Sequence, residues 1–518
     1  MAEPAKRRYL SKLIGNVGSG VATLLSQMAI SRTLGPTAFG QFAFIQSQFE
    51  ALFGTLDFGC SSCYFTQISQ DKRHYPSASG FYFLVSSIIA FGILAYVTIS
   101  MALGASSVLW PGVPPGVVWV GVPLGFSLVF SRNAVLVSDA AGLAQKVETL
   151  RVARGLITLL AILLLAAWKR LDLTLAILLT TIPNLVFCFL CFRYGHKGMG
   201  RQRIDFSSTS LKRAGSRYYA YCKPLIVYSL FAMVAMTADR WILQIVNGST
   251  EQAYIGVATL IGTAIFLITN ALTNIFHREC AVAFANSQTE RLRSLIQIYV
   301  PRIFALAAFP SLFVAMNAKD ILIVYSGPAF AEGWKTLAVF AFYPIVRATA
   351  QLGHAAQFAT NYTRLWMQVG IVRDIFSTVL VYFLVAPRHW AIPGLGLGAL
   401  GVATNTLIAG MITAYTIYVS NSRRFNFDIW AEIRKELLIL ASFGLSAFLG
   451  WQAGFHVGDH LGAIGRVTIS LMVYGVSVLL FSMAYPSLLS VNRVSPMDWI
   501  RILPSGRKKG TPEAERVT

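Results

Sequence analysis

Charged side chains occur inside stretches of this chain that are otherwise long and apolar. Six arginines lie within or at the edges of such stretches, and five of them are candidate ligands: Arg132, Arg347, Arg373, Arg32 and Arg240. A charge at the centre of a bilayer costs about 2.5–3.5 kcal/mol on insertion scales, so such residues face cavities or partners and are functional candidates. Guanidinium groups suit phosphate and carboxylate because their donors form a planar fork. We therefore take these arginines as candidate ligands for an anion in a central cavity.

Six further titratable residues in the apolar stretches are candidates for binding a coupling proton or cation: Glu50, Asp139, Asp57, Asp239, Asp374 and His354. Seven residues are close to two whole helical turns. Arg132 therefore shares a helix face with Asp139, and Arg347 shares the equivalent face with His354. The structural alternative is that these groups pair with one another and lock helices together. Adjacent residues in a helix do not face each other, so Asp239 and Arg240 each need another partner.

The cysteines do not indicate a metal or redox site. Cys60 and Cys63, and again Cys188 and Cys191, have the CxxC spacing, but neither pair has supporting His or further Cys residues. Cysteine is also a small apolar residue that packs well between helices. We therefore predict no metal and no cofactor, and we expect reduced thiols on the cytoplasmic side.

The elements that must position these residues are about fourteen apolar stretches of membrane-spanning length. A crossing helix needs roughly 20 apolar residues, and unpaired backbone groups are not tolerated in hydrocarbon, so the stretches must be helices. The predicted fold is an all-α, polytopic membrane protein with about 14 transmembrane helices. The predicted spans are 10–31, 41–65, 79–103, 115–141, 148–168, 171–194, 217–246, 253–284, 297–318, 334–358, 365–386, 394–419, 433–455 and 462–487.

The basic residues follow this topology. The 518 residues carry 43 Lys and Arg against 22 Asp and Glu, a net charge of +21. Such a charge is also typical of nucleic-acid binding, but the Lys and Arg residues concentrate in alternate gaps, as the positive-inside rule requires. We therefore predict no nucleic-acid partner, and a multi-pass protein with both termini in the cytoplasm.

Two parts of the sequence are similar. Arg132, Asp139 and the following Ala-Ala match Arg347, His354 and a second Ala-Ala at an offset of 215 residues, and Arg32 matches Arg240 at an offset of 208. The similarity predicts two parallel homologous six-helix halves, an arrangement common in transporters, plus two extra C-terminal helices. The predicted boundaries are 1–195 for the N-terminal half, 196–216 for a basic cytoplasmic linker, 217–420 for the C-terminal half, 421–490 for the two extra helices and 491–518 for a basic cytoplasmic tail.

Several motifs resemble those of a known family. Asn16 and Gly20 with the segment Ile30 to Pro36, followed by Phe39-Gly40, resemble the opening of bacterial polysaccharide flippases. Pro224, Ser229, Asp239-Arg240 and Gly256 look like the start of the second half of those proteins. Tyr325-Ser326-Gly327 with Phe330, and Gly394 with Gly398-Ala399, also look like family features. The family comprises O-antigen and exopolysaccharide repeat-unit translocases of the multidrug/oligosaccharidyl-lipid/polysaccharide exporter superfamily, and the resemblance covers roughly residues 10–420.

The resemblance implies a function in polysaccharide biosynthesis at the bacterial inner (cytoplasmic) membrane. It implies a flippase that moves undecaprenyl-diphosphate-linked oligosaccharide to the periplasmic leaflet through a cationic cavity. We expect alternating access, with a proton or sodium gradient as the candidate energy source. The expected partners are the lipid-linked oligosaccharide, the bilayer, and a polysaccharide polymerase and chain-length regulator.

Other functions remain open from the sequence. A lipid II flippase of the same superfamily is the nearest alternative, and a drug/cation antiporter would favour acidic over basic cavity residues. A polymerase or ligase for the same sugars usually needs a sizeable periplasmic loop with catalytic residues, which we do not find, so we predict that the chain is not an enzyme. A scaffold subunit of a polysaccharide machine would tolerate replacement of the cavity arginines.

Overall fold

The computed structural model describes residues 5–140, 143–200, 202–360 and 363–485, and the regular secondary structure in these ranges is entirely helical. The predicted tail 491–518 lies outside them. The α-helices are α1 Ala5–Leu56, α2 Cys60–Gln70, α3 Tyr75–Ala102, α4 Ser106–Leu109, α5 Pro115–Ala140, α6 Ala144–Ala167, α7 Leu173–Gly198, α8 Ser208–Ala285, α9 Thr289–Met316, α10 Ala318–Ser326, α11 Trp334–Phe340, α12 Tyr343–Ala359, α13 Thr363–Val385, α14 Gly398–Phe425, α15 Ile429–Gly458 and α16 Gly462–Ala484.

The helices have the length and surface of membrane spans. Within the described ranges, ten helices are long and apolar enough to cross a bilayer. They carry exposed large apolar side chains, such as Phe91 on α3, Leu160 on α6 and Met472 on α16, which lipid would cover. When the two long kinked helices are divided at their kinks, the order of helices follows the fourteen predicted spans. The all-α, polytopic fold is therefore confirmed.

Two glycines bend the longest helices. Helix α1 is broken at Gly35, with φ 73° and ψ 177°, and α8 is broken at Gly248, with φ 75° and ψ −169°. This region of backbone space is accessible essentially to glycine alone. Each kink joins two predicted spans into one helix with two arms, 5–34 and 36–56 in α1, and 208–247 and 249–285 in α8.

Contacts beside the kinks fix the register of the internal repeat. The Thr37 and Thr250 hydroxyls are 3.5 Å apart and 213 residues apart in the chain. Gly256 packs against the Cβ of Ala43, and these two residues are also 213 positions apart in the sequence. The two kink glycines, Gly35 and Gly248, have the same spacing of 213. A repeat that follows the spacing of the two kink glycines pairs Thr37 with Thr250 and Ala43 with Gly256, and it predicts a pseudo-two-fold axis between α1 and α8. This spacing of 213 differs from the offset of 208 that pairs Arg32 with Arg240, and it would pair Arg240 with Gln27.

Several boundaries differ from the sequence prediction. The second predicted span ends early, because the Asp57–Gly59 break separates α1 from α2. The tenth, 334–358, is divided into α11 and α12 just before Pro344, which lacks a backbone donor. The gap between spans 9 and 10 contains α10 and a short 3-10 helix, Pro328–Gly333. Helices α7 and α8 enter the predicted linker 196–216 from both ends.

The core that joins the two halves is aromatic. Phe39, Phe42, Phe44 and Phe49 on the second arm of α1 are at most 1% exposed and pack in one cluster with residues of α5 and α8. Gly125 of α5 lies so close to Phe49 that an added Cβ would come within 2.5 Å of the Phe49 Cβ. This close packing holds α5, and with it Arg132, against α1.

Candidate anion-binding passage

A polar cavity lies inside the N-terminal half. It has a volume of about 350 Å³ and is enclosed by α1, α5, α6 and α7. We call it the N-half cavity. Three guanidinium groups line it, those of Arg132, Arg151 and Arg154, together with Ser, Thr, Asn and Gln side chains. The concentration of positive charge and neutral hydrogen-bonding groups makes it suitable for an anion.

Arg132 pairs with a carboxylate from another helix. Its guanidinium contacts Glu50 on the second arm of α1, and 63% of the Arg132 side chain remains exposed in the cavity. The predicted partner, Asp139, has a side chain outside the described part of the structure. Glu50 therefore occupies the position in which an acidic group of a ligand could meet Arg132.

Arg151 and Arg154 were not among the residues predicted to bind an anion, because the sequence placed them near the cytoplasmic end of a span. Arg151 contacts Glu148 at 3.1 Å and also Asn16. Arg154 donates to the Asn184 Oδ1 at 2.6 Å and lies 4.8 Å from the centre of the Phe187 ring. The spacing of Glu148, Arg151 and Gly155 was a usable signal in the sequence. These residues are three and four positions apart, so they lie on one face of α6 and indicate a polar face there.

A second cavity connects the two halves. It has a volume of about 140 Å³ and lies between both arms of α1 and both arms of α8. We call it the interface cavity. Gln27 and Gln46 line both this cavity and the N-half cavity. The two cavities are therefore neighbours that share a polar wall.

The third cavity lies in the C-terminal half and has a volume of about 380 Å³. We call it the C-half cavity. Arg240 and Thr259 line both this cavity and the interface cavity. Arg240 donates to Thr259 at 3.2 Å and to Gln252 at 3.4 Å, so it joins the two arms of α8. The three cavities are thus neighbours, each adjoining pair sharing two lining residues, and we call the set of three the passage.

Arg347 lies on an aromatic wall of the C-half cavity. It donates to the Tyr343 hydroxyl at 3.0 Å and its guanidinium is 5.3 Å from the centre of the Phe266 ring. Arg347 remains exposed in the cavity. Together with Phe340, these side chains form a surface that can stack against a flat or ring-shaped group.

Buried acids lie beside the C-half cavity. Asp239 lines it and is partly exposed, and Asp374, the neighbour of Arg373 on α13, is 5% exposed. Asp239 Oδ1, Asp374 Oδ2 and the Asn405 Oδ1 on α14 are buried oxygens without a hydrogen-bond partner among the described residues. Buried polar atoms normally have partners. The two carboxylates therefore each have one oxygen that could take up a proton.

The other predicted site residues lie outside the lining of the three cavities. Arg373 pairs with its neighbour Asp374 at 2.5 Å, and the His354 ring lies 6.4 Å from the Phe358 ring. Asp57 accepts hydrogen bonds from the backbone and hydroxyl of Ser61 at 3.0 and 2.7 Å, which satisfies the start of α2. Arg32, near the kink of α1, donates to the backbone carbonyls of Tyr325 and Val324 at the end of α10. No group of three or more His, Cys, Asp or Glu suited to a metal occurs among the described residues.

Solved structures of transporters share this fold. The lipid II flippase MurJ, in an inward closed conformation, aligns with a TM-score of 0.66 at 13% identity, covering 92% of this chain and 99% of that one. An inward-facing multidrug resistance MATE transporter of the MOP superfamily gives 0.61 at 14%, covering 81% and 98%. A MOP superfamily transporter from Pyrococcus furiosus, described as having a binding pocket of reverse polarity, gives 0.54 at 15%, covering 81% and 96%. No protein-family model and no curated protein matches the sequence.

The class of protein follows from these observations. The chain is a multi-pass membrane protein with the fold of MOP superfamily transporters. At 13–15% identity the likeness concerns the fold alone.

The pairing of Glu50 with Arg132 leads to a binding prediction. We expect Glu50→Gln to bind inorganic pyrophosphate about tenfold more tightly than the unmodified protein, because a competing carboxylate is removed and one decade corresponds to about 1.4 kcal/mol. Isothermal titration calorimetry of the detergent-solubilised protein measures the affinity. Glu332→Gln removes the same charge from an exposed position and should leave it unchanged. Equal affinities for all three proteins would show that Glu50 does not compete for Arg132.

Proposed function

We propose that the chain is a flippase that moves undecaprenyl-diphosphate-linked oligosaccharide repeat units from the cytoplasmic to the periplasmic leaflet. The observation that carries this proposal is the passage, whose three cavities share residues and cross from one half to the other. Five guanidinium groups line it, those of Arg132, Arg151, Arg154, Arg240 and Arg347. A diphosphate is the part of the lipid-linked sugar that such groups recognise best.

The two ends of the passage differ in a way that suits a two-part headgroup. The N-half cavity offers three arginines with neutral hydrogen-bonding groups, and the C-half cavity adds aromatic rings beside Arg347. Sugar rings present both hydroxyl groups and apolar C–H faces. Alternating access between the homologous halves then carries the headgroup across the bilayer while the lipid chain stays in hydrocarbon.

The buried acids are proposed as the site of a coupling ion. Asp239 on α8 and Asp374 on α13 each have a buried carboxylate oxygen without a hydrogen-bond partner among the described residues, and we propose these as the candidate ligands. Sodium or a proton could neutralise this site, and Asp239 also lines the C-half cavity where Arg240 and Arg347 meet the headgroup. Ion binding and headgroup binding would therefore affect the same helices. Asp139, Asp57 and His354 are the remaining candidates.

Lipid II is the second candidate substrate. The MurJ structure covers 92% of this chain, and lipid II carries the same type of lipid diphosphate. A drug/cation antiporter is less favoured, because the basic groups of the passage outnumber its acids. The transport-protein neighbours also favour a function without catalysis. We place the chain in the bacterial inner membrane, with both termini in the cytoplasm and a polysaccharide polymerase and chain-length regulator as partners.

Complementation tests the proposed substrate. We expect the unmodified chain to restore surface polysaccharide in a strain that lacks an O-antigen-type flippase. The double variant Arg132→Ala, Arg347→Ala should fail at matched membrane levels, because it removes one guanidinium from each half of the passage. Surface polysaccharide is measured by gel electrophoresis and blotting.

A matched double variant, Arg73→Ala with Arg388→Ala, removes two exposed arginines outside the passage and should still restore polysaccharide. Rescue of only a strain that lacks the lipid II flippase would transfer the proposal to the second substrate. Equal rescue by the Arg132→Ala, Arg347→Ala variant would contradict the role of the arginines.

The coupling site predicts a selective loss of ion dependence. In proteoliposomes, a sodium or proton gradient should accelerate lipid translocation by the unmodified chain. Asp239→Asn should reduce this acceleration about tenfold, because the neutral amide no longer favours a bound cation. Asp71→Asn removes one carboxylate from a loop and should keep the response. An unchanged response in Asp239→Asn would remove that residue from the coupling site.

A further inference from the structure

Two motifs that are far apart in the sequence meet in space. Ser31 and Arg32 end the first arm of α1, and Tyr325 and Ser326 end α10. Helix α1 belongs to the predicted N-terminal half, whereas α10 lies between α9 and α11 in the predicted C-terminal half. Both motifs lie at the end of the molecule that the charge distribution predicts to be extracytoplasmic. Any rocking of one half against the other at this end must change their contact.

Four hydrogen bonds connect these segments. The Arg32 Nε donates to the Tyr325 carbonyl at 3.1 Å, and its Nη2 donates to the Val324 carbonyl. The Tyr325 hydroxyl donates to the Leu24 carbonyl at 2.7 Å, and the Ser31 hydroxyl donates to the Ser326 hydroxyl at 3.0 Å. We call this set of contacts the latch.

The end of α10 explains why an arginine is needed. The last carbonyls of a helix have no partner within the helix. Gly327 follows with φ 99°, and its N–H reaches back to the Ile323 carbonyl at 3.0 Å. The Val324 and Tyr325 carbonyls remain open, and a guanidinium both satisfies them and complements the negative end of the helix dipole. Arg32 therefore caps a helix of the opposite half.

The latch can open without burying an unpaired charge. Its acceptors are neutral carbonyls and a hydroxyl, and the Arg32 side chain is exposed. Water can therefore replace the Arg32 contacts when the halves separate, so each charge-assisted bond contributes only a modest net free energy. The Ser31–Ser326 contact is buried, and Phe330 packs beside it against Phe39 at 6.0 Å between ring centres. A contact of this type stabilises one conformation and still allows the other.

We propose that Arg32 and Tyr325 are positioning residues that hold the extracytoplasmic mouth of the passage closed, and that neither binds substrate. The role rests on the alternating access of the proposed function, but it does not depend on which lipid is carried. It replaces the prediction that Arg32 is a substrate ligand. The geometry supports this change of role. Arg32 is outside the lining of the three cavities, and its guanidinium donates to carbonyls at the end of α10.

Accessibility of a cysteine in the passage tests the latch independently of transport. Thr263→Cys places a thiol in the C-half cavity at an exposed position, whereas the six native cysteines are buried. A membrane-impermeant maleimide is added to intact cells for the outer side and to inverted vesicles for the inner side. We expect Arg32→Gln to raise the outer labelling rate about tenfold and to lower the inner rate, because the closed outer mouth loses a charge-assisted bond.

Three controls separate a latch from a general loss of structure. Tyr325→Phe keeps the ring but loses one hydrogen bond, and should raise outer labelling by a smaller factor than Arg32→Gln. Arg32→Lys retains a donor and should restore part of the closed state. Arg388→Gln, at an exposed position between α13 and α14, should label like the parent protein. Unchanged outer labelling in both Arg32→Gln and Tyr325→Phe, or faster labelling from both sides, would overturn the proposal.

A reversible cross-link provides the opposite perturbation. Ser31→Cys with Ser326→Cys places two sulfurs where the hydroxyl oxygens are 3.0 Å apart. Oxidation should abolish outer labelling of the Thr263→Cys reporter and reduction should restore it, while either single variant should not respond. Unchanged outer labelling after the cross-link has formed would contradict the latch. A working latch in a chain that restores neither polysaccharide nor lipid II transport would retain this proposal and refute the proposed substrates.

Discussion

The structure depends on keeping guanidinium groups in a bundle whose outer surface is apolar. In hydrocarbon each such charge is unfavourable by several kcal/mol, so the helices must enclose polar space around it. Arg132 and Arg154 are on neighbouring helices that face one cavity, and Arg240 and Arg347 face another. The close packing of α1 on α8 brings these two cavities together.

The kinks at Gly35 and Gly248 are what make this contact possible. Each kink lets a long helix change direction, so that residues of both arms line the interface. The Thr37–Thr250 contact and the packing of Gly256 on Ala43 fit a predicted pseudo-two-fold axis between the kinked helices. A repeat with this spacing would be chemically asymmetric here, because Gln27 would be equivalent to Arg240. The N-terminal half instead obtains its charge from α5 and α6.

The helical class and the order of the spans could be predicted from the sequence, because long apolar runs are a local signal. The positions of Arg132, Arg240 and Arg347 beside cavities could also be predicted, because a charge within an apolar run is a local signal too. The sequence could not predict which side chains contact one another. Arg132 contacts Glu50 from another helix, and Asp57 serves the start of α2, which only tertiary packing decides. The sequence did not identify Arg154 as a cavity residue, because Arg154 is close to the predicted cytoplasmic boundary of the membrane. In the structure the polar face of α6 extends past this boundary into the bundle. The role of Arg32 depends on α10, a nine-residue helix in a segment predicted to be a gap.

We propose that the passage carries a lipid diphosphate from one leaflet to the other. The most direct measurement reconstitutes the chain in vesicles that contain a fluorescent polyprenyl-diphosphate-linked sugar and follows its exposure to a membrane-impermeant quencher. The account predicts that the protein exposes the inner-leaflet lipid, and that an otherwise identical glycolipid without the diphosphate stays protected. Equal movement of both lipids, or movement of neither by correctly folded protein, would contradict it.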